Sequence, residues 1–380
     1  MAQIRVQNLH KAFADFVAVK DSTFTVRDGE FFCLLGPSGC GKTTTLRMIA
    51  GLELPTTGQI FLGDEDVTFK RASHRDIAFV FQLFALYPHL NVRHNIAFPL
   101  VSQGVPREQI AAKVAEAARI LRIEHLLDKR VSGLSGGDRQ RVALGRAIVR
   151  QPLAFMMDEP LGALDSEFRE LMCQELRALH DRLHATTVYV THDQLEAMAM
   201  ADTIAIMNQG VIEQLGAPQE VYDRPASVFV ADFIGSPSMN FLPLPGGYTA
   251  GTRQLRLGDA LLPVPELRED APGAQLLLGV RPEHVRFSGD SSLRAEVLGT
   301  EYLGSSQIVT CRVEPATTLR ARVSPELAVQ RGDQLGLVFD SAQVSLFDAA
   351  SGRALRTARH DDKVLARSAR AGTALGAAHG

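Results

Sequence analysis

The residues best spaced for chemistry in this 380-residue chain are Gly36-Pro37-Ser38-Gly39-Cys40-Gly41-Lys42-Thr43, a match to G-x-x-x-x-G-K-[ST]. Glycines in such a loop let successive backbone N–H groups converge on phosphate oxygens. The helix expected to follow adds the positive end of its dipole. Lys42 is placed to reach the β and γ phosphates, Thr43 to ligate Mg2+ through its hydroxyl, and Thr44 to complete the contacts. The apolar run Phe31–Leu35 precedes the loop, and Leu46, Ile49 and Ala50 follow it, which is the strand–loop–helix setting the motif requires.

Other chemistry-bearing residues stand at the ends of further apolar runs. Leu153–Met157 runs into Asp158-Glu159. An acid occupied by a metal is a poor base, so two carboxylates allow two roles: Asp158 for Mg2+ and Glu159 for the attacking water. Thr187–Val190 runs into Thr191-His192-Asp193, which puts His192 within reach of a γ-phosphate. Ala78–Phe81 runs into Gln82, whose neutral amide suits Mg2+ coordination or water orientation. Taken singly, an acidic pair or a histidine after a strand is an ordinary turn. In an open parallel sheet, however, the carboxyl ends of the strands share one edge, and the ligand binds there. Leu134-Ser135-Gly136-Gly137-Asp138-Arg139-Gln140-Arg141 opens a helix and forms a second anion site.

The elements that must hold these groups alternate strand and helix to about residue 235, which argues for an α/β sheet. Ile110, Val114, Ala117 and Leu121 mark one face of an amphipathic helix. Another helix is expected from Asp165, its N-cap, to about Arg182. After Gly235 the texture changes. Short runs at Arg253–Leu257, Gln275–Val280, Gln307–Val313 and Leu335–Phe339, separated by Gly, Pro, Asp and Ser, suggest a small all-β barrel. Residues 357–380 lack periodic apolar positions and are expected to be a disordered tail.

Bulk properties narrow the class. The chain is 46% apolar and 22% charged with a net charge of −3, so it has no basic footprint for nucleic acid. No stretch has the roughly 18 apolar residues of a membrane span, and the first residues lack a secretory leader pattern, so a cytoplasmic chain is expected. Cys33, Cys40, Cys173 and Cys311 fit neither zinc nor C-x-x-C spacing. Cys33 reads as core, and Cys40 lies inside the phosphate loop.

In this order, the phosphate loop, Gln82, Leu134–Gly137, Asp158-Glu159, Gly162-Ala163-Leu164-Asp165 and His192 resemble the nucleotide-binding subunits of ATP-binding cassette (ABC) transporters. The junction Phe233-Ile234-Gly235-Ser236-Pro237-Ser238-Met239-Asn240-Phe241-Leu242 and the segment Gly279-Val280-Arg281-Pro282-Glu283-His284 are similar to the carbohydrate-importer type, including maltose and glycerol 3-phosphate importer ATPases. The resemblance implies an α/β P-loop NTPase cassette at 1–235, with a RecA-like core and a helical subdomain at about 84–150. An OB-like barrel of the TOBE/MOP type would follow at 236–356. It implies that Phe13 stacks on adenine, with Phe16 as the competing candidate. Two cassettes would close head to tail, with Ser135, Gly136, Gly137 and Asp138 of one facing the ATP of the other and Asp165 in the dimer loop.

Further implied partners are a second ATPase subunit (the same chain or a close paralogue), two integral-membrane permease subunits and, indirectly, a solute-binding protein. The place would be the cytoplasmic face of a bacterial inner membrane. The segment Leu83–His89 would help receive a coupling helix of the permease. The expected function is ATP-driven uptake of a sugar, glycerol or glycerol 3-phosphate. Alternatives are a polyamine or iron importer ATPase, or a non-transport ABC regulatory protein. Two positions depart from the family pattern. Asp138 replaces a usual Gln, and Ser135-x-x-Asp138 suggests a capping box that turns the carboxylate back to the helix start. Gly162 replaces a common Ser.

Overall fold

The apolar runs read from the sequence give strands Phe31–Leu35, Ala154–Asp158 and Thr187–Thr191, each buried throughout, while Leu153, expected to begin the second, is exposed and lies just before it. Such two-sided burial is the mark of a parallel sheet covered on both faces. The computed structural model describes residues 2–81, 85–162, 164–273, 275–313 and 317–360. It divides into two units, Met1–Pro218 and Gln219–Gly380.

In chain order the first unit contains β1 (Ile4–Phe13), β2 (Phe16–Val26), β3 (Phe31–Leu35), α1 (Lys42–Ala50), β4 (Thr57–Leu62), β5 (Glu65–Asp66), β6 (Ile77–Val80), α2 (Val92–Ser102), α3 (Arg107–Ile120), α4 (Gly136–Ile148), β7 (Ala154–Asp158), α5 (Ser166–Leu183), β8 (Thr187–Thr191), α6 (Gln194–Met200), β9 (Thr203–Asn208) and β10 (Val211–Gly216). The strands order as β5-β4-β1-β2-β10-β9-β3-β8-β7-β6. Neighbours from β6 to β9 are parallel, whereas β1, β2 and β4 pair antiparallel. Register matters most for function. Leu35 pairs with Thr191, Asp158 with Val190 and Val80 with Met157, so four strands end at one level.

Helix α3 carries the expected stripe, with Val114, Ala117 and Leu121 buried. Between the parallel strands β6 and β7 stand α2, α3 and α4, where the helical subdomain was expected. Arg75, 1% exposed, is a feature the sequence did not announce. Its guanidinium donates to the carbonyls of Met48 and Ile49 at the end of α1, and to those of Thr68 and Lys70. It thereby satisfies helix-terminal acceptors that have no partner within the helix.

The second unit contains all but the first residue of α7 (Pro218–Asp223), then α8 (Val228–Phe233), β11 (Asn240–Pro245), β12 (Gln254–Leu257), β13 (Ala260–Pro263), β14 (Gln275–Val280), β15 (Val285–Phe287), β16 (Arg294–Tyr302), β17 (Gln307–Val313), β18 (Thr317–Val323), β19 (Gln334–Phe339) and β20 (Ser345–Asp348). Sheets β11-β14-β20, β12-β13 and β15-β19-β16-β17-β18 are antiparallel. They share one core built from alternating residues such as Leu242, Leu278, Val297, Val309, Leu319 and Leu337.

The compact units divide at Pro218, ahead of the expected domain boundary at 235, and the buried Arg281 ties α7 and α8 to the barrel. Its guanidinium donates to the carbonyls of Tyr222, Ala231 and Ile234 and lies 4.1 Å from the Tyr222 ring centroid. The start of the expected tail is also part of the barrel. Thr357 is buried and bridges Leu267, and Arg359 donates to the Gln343 and Val344 carbonyls. The rest of that segment, 361–380, lies outside the described residues.

Candidate nucleotide site

The loop Gly36–Thr43 joins the carboxyl end of β3 to α1. Two of its glycines are required by close packing. A Cβ on Gly36 would lie 2.2 Å from the Met207 carbonyl oxygen, and one on Gly41 2.5 Å from that of Ala18. Gly41 also has φ +106°, a conformation side chains rarely adopt. The loop is braced from outside, since the Gly210 N–H donates to the Cys40 carbonyl at 3.0 Å. Lys42 is buried with its ammonium over the loop, donating to the carbonyls of Gly36 at 2.8 Å and Pro37 at 2.9 Å. Ser38 and Gly39 are exposed at the turn, and Thr44 is half-buried. The Cys40 thiol is buried beside Lys42. Burial raises its pKa, and the neighbouring ammonium only partly offsets the rise.

Thr43 and Asp158, 115 residues apart in the chain, meet directly: the Thr43 hydroxyl donates to Asp158 Oδ1 at 2.8 Å. Burial pushes the Asp158 carboxyl above its ordinary range, against the opposing pull of that hydrogen bond and of Arg47 and Lys42. A desolvated carboxylate beside a hydroxyl is a hard oxygen pair of the kind Mg2+ takes when phosphates and water supply its other ligands. The described residues contain no cluster of three or more His, Cys, Asp or Glu around a metal position. The Thr43–Asp158 oxygen pair fits a Mg2+ that would be held together with a nucleotide.

Glu159 follows at the same edge. It is a non-glycine residue in the left-handed region, φ 44°, fixed by its N–H donating to Val190 O at 3.0 Å and by its carbonyl accepting from Gly162 N–H at 3.3 Å. Such a conformation costs about 1–3 kcal/mol and persists only where surroundings enforce it. Its carboxylate Oε2 stands 3.2 Å from His192 Nδ1. The sheet register thus brings Lys42, Thr43, Asp158, Glu159 and His192 to one edge. Gln82 lies outside the described residues; Phe81, just before it, is beyond the paired end of β6.

Phe13 and Phe16 face each other across the turn of the β1–β2 hairpin. They are 42% and 60% exposed, so neither is core, and Lys11 lies over the Phe13 ring at 4.5 Å. Ser135 caps α4 and accepts from the Asp138 N–H at 3.2 Å, while its hydroxyl donates to the Asp138 carboxylate at 2.8 Å. Asp138 is turned back to the helix start, as the capping pattern predicts. Gly137 admits the Phe168 ring, which a Cβ would meet at 2.0 Å. Asp165 caps α5, accepting from the Phe168 N–H at 2.9 Å.

Comparison with known proteins decides the class. The ABC transporter family profile matches residues 19–162, the MalK OB fold domain 235–285 and the TOBE domain 278–347. The trehalose/maltose import ATP-binding protein MalK of Thermococcus litoralis is 48% identical over 374 residues, covering 93% of this chain and 100% of that protein. The chain belongs to the ABC transporter ATP-binding subunits. Other relatives of this ABC ATPase include the sn-glycerol-3-phosphate import ATP-binding protein UgpC of Cereibacter sphaeroides and the sulfoquinovosyl glycerol transport ATP-binding protein SmoE of Agrobacterium fabrum. Each is 44% identical over 93% of this chain and 100% of the relative. Among solved structures, CbiO1 of Clostridium perfringens, part of the transporter complex CbiONQ, matches with TM-score 0.54 and 28% identity over 57% of this chain and 89% of that one. A dimeric post-hydrolysis state of the cassette MJ0796 bound to ADP and Pi matches with TM-score 0.51 and 30% identity, over 57% of this chain and 98% of that one. The cassette followed by OB and TOBE domains is the architecture expected from the sequence, and the ABC ATPase is of the carbohydrate-importer type.

Proposed function

We propose that this ABC ATPase drives uptake of a carbohydrate or polyol-type solute by hydrolysing Mg–ATP between two cassettes at the cytoplasmic face of a membrane. The observation that carries the catalytic part is the Glu159–His192 pair, 3.2 Å apart at the edge where the phosphate loop and Asp158 also end. The loop N–H groups and Lys42 bind the phosphates, and Phe13 at the hairpin tip takes the adenine face. Thr43 and Asp158 would hold Mg2+, which would neutralise charge on the phosphate oxygens. Glu159 accepts the proton of the attacking water, and His192 orients that carboxylate and the γ-phosphate. Water bonds to the γ-phosphorus as the bond to ADP breaks.

Several observations support assembly. Ser135–Asp138 lies at a helix N-terminus and is a second anion site that one bound ATP does not use. Among the described residues no helix is long and apolar enough to cross a membrane, so spanning would fall to permease subunits. Tyr87, whose ring packs on Phe98 at 4.3 Å beneath Arg146, leaves His89 and Pro88 exposed for a coupling helix. Relatives named for trehalose, maltose and glycerol phosphate import support the solute class. The test is purification of the tagged chain from its own cell's membranes. Two permease subunits and ATPase activity stimulated by a sugar-loaded binding protein are expected. Recovery with nucleic acid or ribosomes instead would overturn the reading.

A further inference from the structure

We propose that Arg169 is a positioning residue that couples the two ATP sites of a cassette pair, by linking the Ser135–Gly137 motif to His192 within one chain. This rests on the two-cassette reading above. The first turn of α5 touches the motif. Phe168 fills the space over Gly137, and Leu164 lies within van der Waals reach of a Cβ on Gly136, at 3.4 Å. From that same turn Arg169 reaches the other way. Its Nη2 donates to the Leu164 carbonyl and its Nη1 to Asp193 Oδ2, both at 2.9 Å.

Asp193 directly follows His192, and the turn between β8 and α6 is fastened on both sides. The Asp193 N–H donates to Thr191 Oγ1 at 2.9 Å, and Asp193 Oδ1 caps α6 through the Leu195 N–H at 2.8 Å. Thr191 in turn donates to Glu196 Oε2 at 2.7 Å, as does the buried Tyr189 hydroxyl. Glu196, 3% exposed, has Arg169 Nε at 3.7 Å as its cation. One guanidinium thus holds the loop carrying Asp165, the residue after His192 and the buried carboxylate behind it. A shift of the Ser135–Gly137 end when it meets the partner's ATP moves the α5 turn. Arg169 transmits that shift to His192, which serves the chain's own ATP. Packed networks with fixed hydrogen-bond partners carry such coupling.

The test uses the full-length chain and its Arg169→Met, Asp193→Asn and double variants. ATP turnover in the parent should be cooperative, with a Hill coefficient above 1 for two interacting sites. In Arg169→Met the coefficient should fall to about 1 and kcat about tenfold, while ATP affinity stays within about twofold because the phosphate loop is untouched. Asp193→Asn, which keeps the cap but removes the charge, should do the same, and the double variant should be no worse than either single one. A parent coefficient of 1, retained cooperativity in both single variants, or additive losses would overturn the coupling role. ATP-dependent dimerisation of a Glu159→Gln variant, read by size exclusion, tests the two-cassette reading separately. A variant that stays monomeric refutes that reading. A dimer with cooperative Arg169→Met turnover refutes the inference alone.

Discussion

In the proposed two-cassette arrangement Asp138 would face a partner's γ-phosphate, so replacing it by Gln separates two accounts of it. If the carboxylate repels the nucleotide, Asp138→Gln should release a suppressed enzyme. The structure points elsewhere: the carboxylate accepts the Ser135 hydroxyl at 2.8 Å, and its own N–H donates back to Ser135. The substitution removes a negative charge from the first turn of α4, worth about 0.3–1 kcal/mol. It also weakens one half of a reciprocal cap whose full loss costs about 1 kcal/mol. Both groups are partly solvated, so the sum is about 1 kcal/mol rather than their maximum. For a unit of this size that lowers the thermal midpoint by about 2–4 °C. On the catalytic side, freeing the Ser135 hydroxyl alters one hydrogen bond, worth about 0.5–1.5 kcal/mol, so turnover should stay within a few-fold of the parent. Differential scanning calorimetry and a steady-state phosphate-release assay read the two quantities. A gain in turnover of about a hundredfold, or a rise in thermal midpoint, would refute the capping account and restore repulsion.

Other expectations follow from the same geometry. Glu159→Gln removes the proposed base but leaves Lys42, Thr43 and Asp158 in place. Turnover should drop by about 10²–10⁴ with ATP binding retained, and parent-like turnover would remove Glu159 from the mechanism. Arg75→Met removes a donor from four carbonyls, two of them at the end of α1, within 2.7–3.0 Å of the lost guanidinium; Met48 O keeps the Gly51 N–H. Each buried acceptor left without a donor costs about 1–3 kcal/mol, so a fall of at least about 5 °C in thermal midpoint is expected, and a fall under about 2 °C would show the site to be dispensable. For Cys40, burial disfavours the thiolate, which is the reacting species. Alkylation should be slow near neutral pH, rise only above the ordinary thiol value of 9.0, and be slowed further by Mg–ATP. Mass spectrometry of the Cys40 peptide would refute this if labelling were complete within minutes at pH 7.

Local chemistry was legible in the amino-acid order because it is written in residue types at short range. The phosphate loop needs glycines, a lysine and a threonine in register, and the all-buried strands β3, β7 and β8 need unbroken apolar runs. Asp165 and Ser135 announced their helix caps by type and position. The antiparallel strands β1, β2 and β4 were not legible, since their half-buried faces mix polar and apolar residues with register shifts. Arg75 and Arg169 escaped notice too, and Arg281 was named only within a resembling segment, with no role. A lone arginine reads as surface, and only the fold supplies the carbonyls and carboxylates that engage it.

The sequence alone determined that this chain binds a nucleotide, which polar groups stand ready at the strand ends, and that a second domain of another texture follows. Tertiary structure decided that those groups meet. Parallel pairing sets Leu35 beside Thr191 and Asp158 beside Val190, which brings Thr43 onto Asp158 and His192 onto Glu159. It also placed the α7–α8 segment with the barrel, because Arg281 finds its acceptors there. The reason is physical: types and short spacings are local properties, whereas a hydrogen bond between residues 115 positions apart exists only once strand register has been chosen.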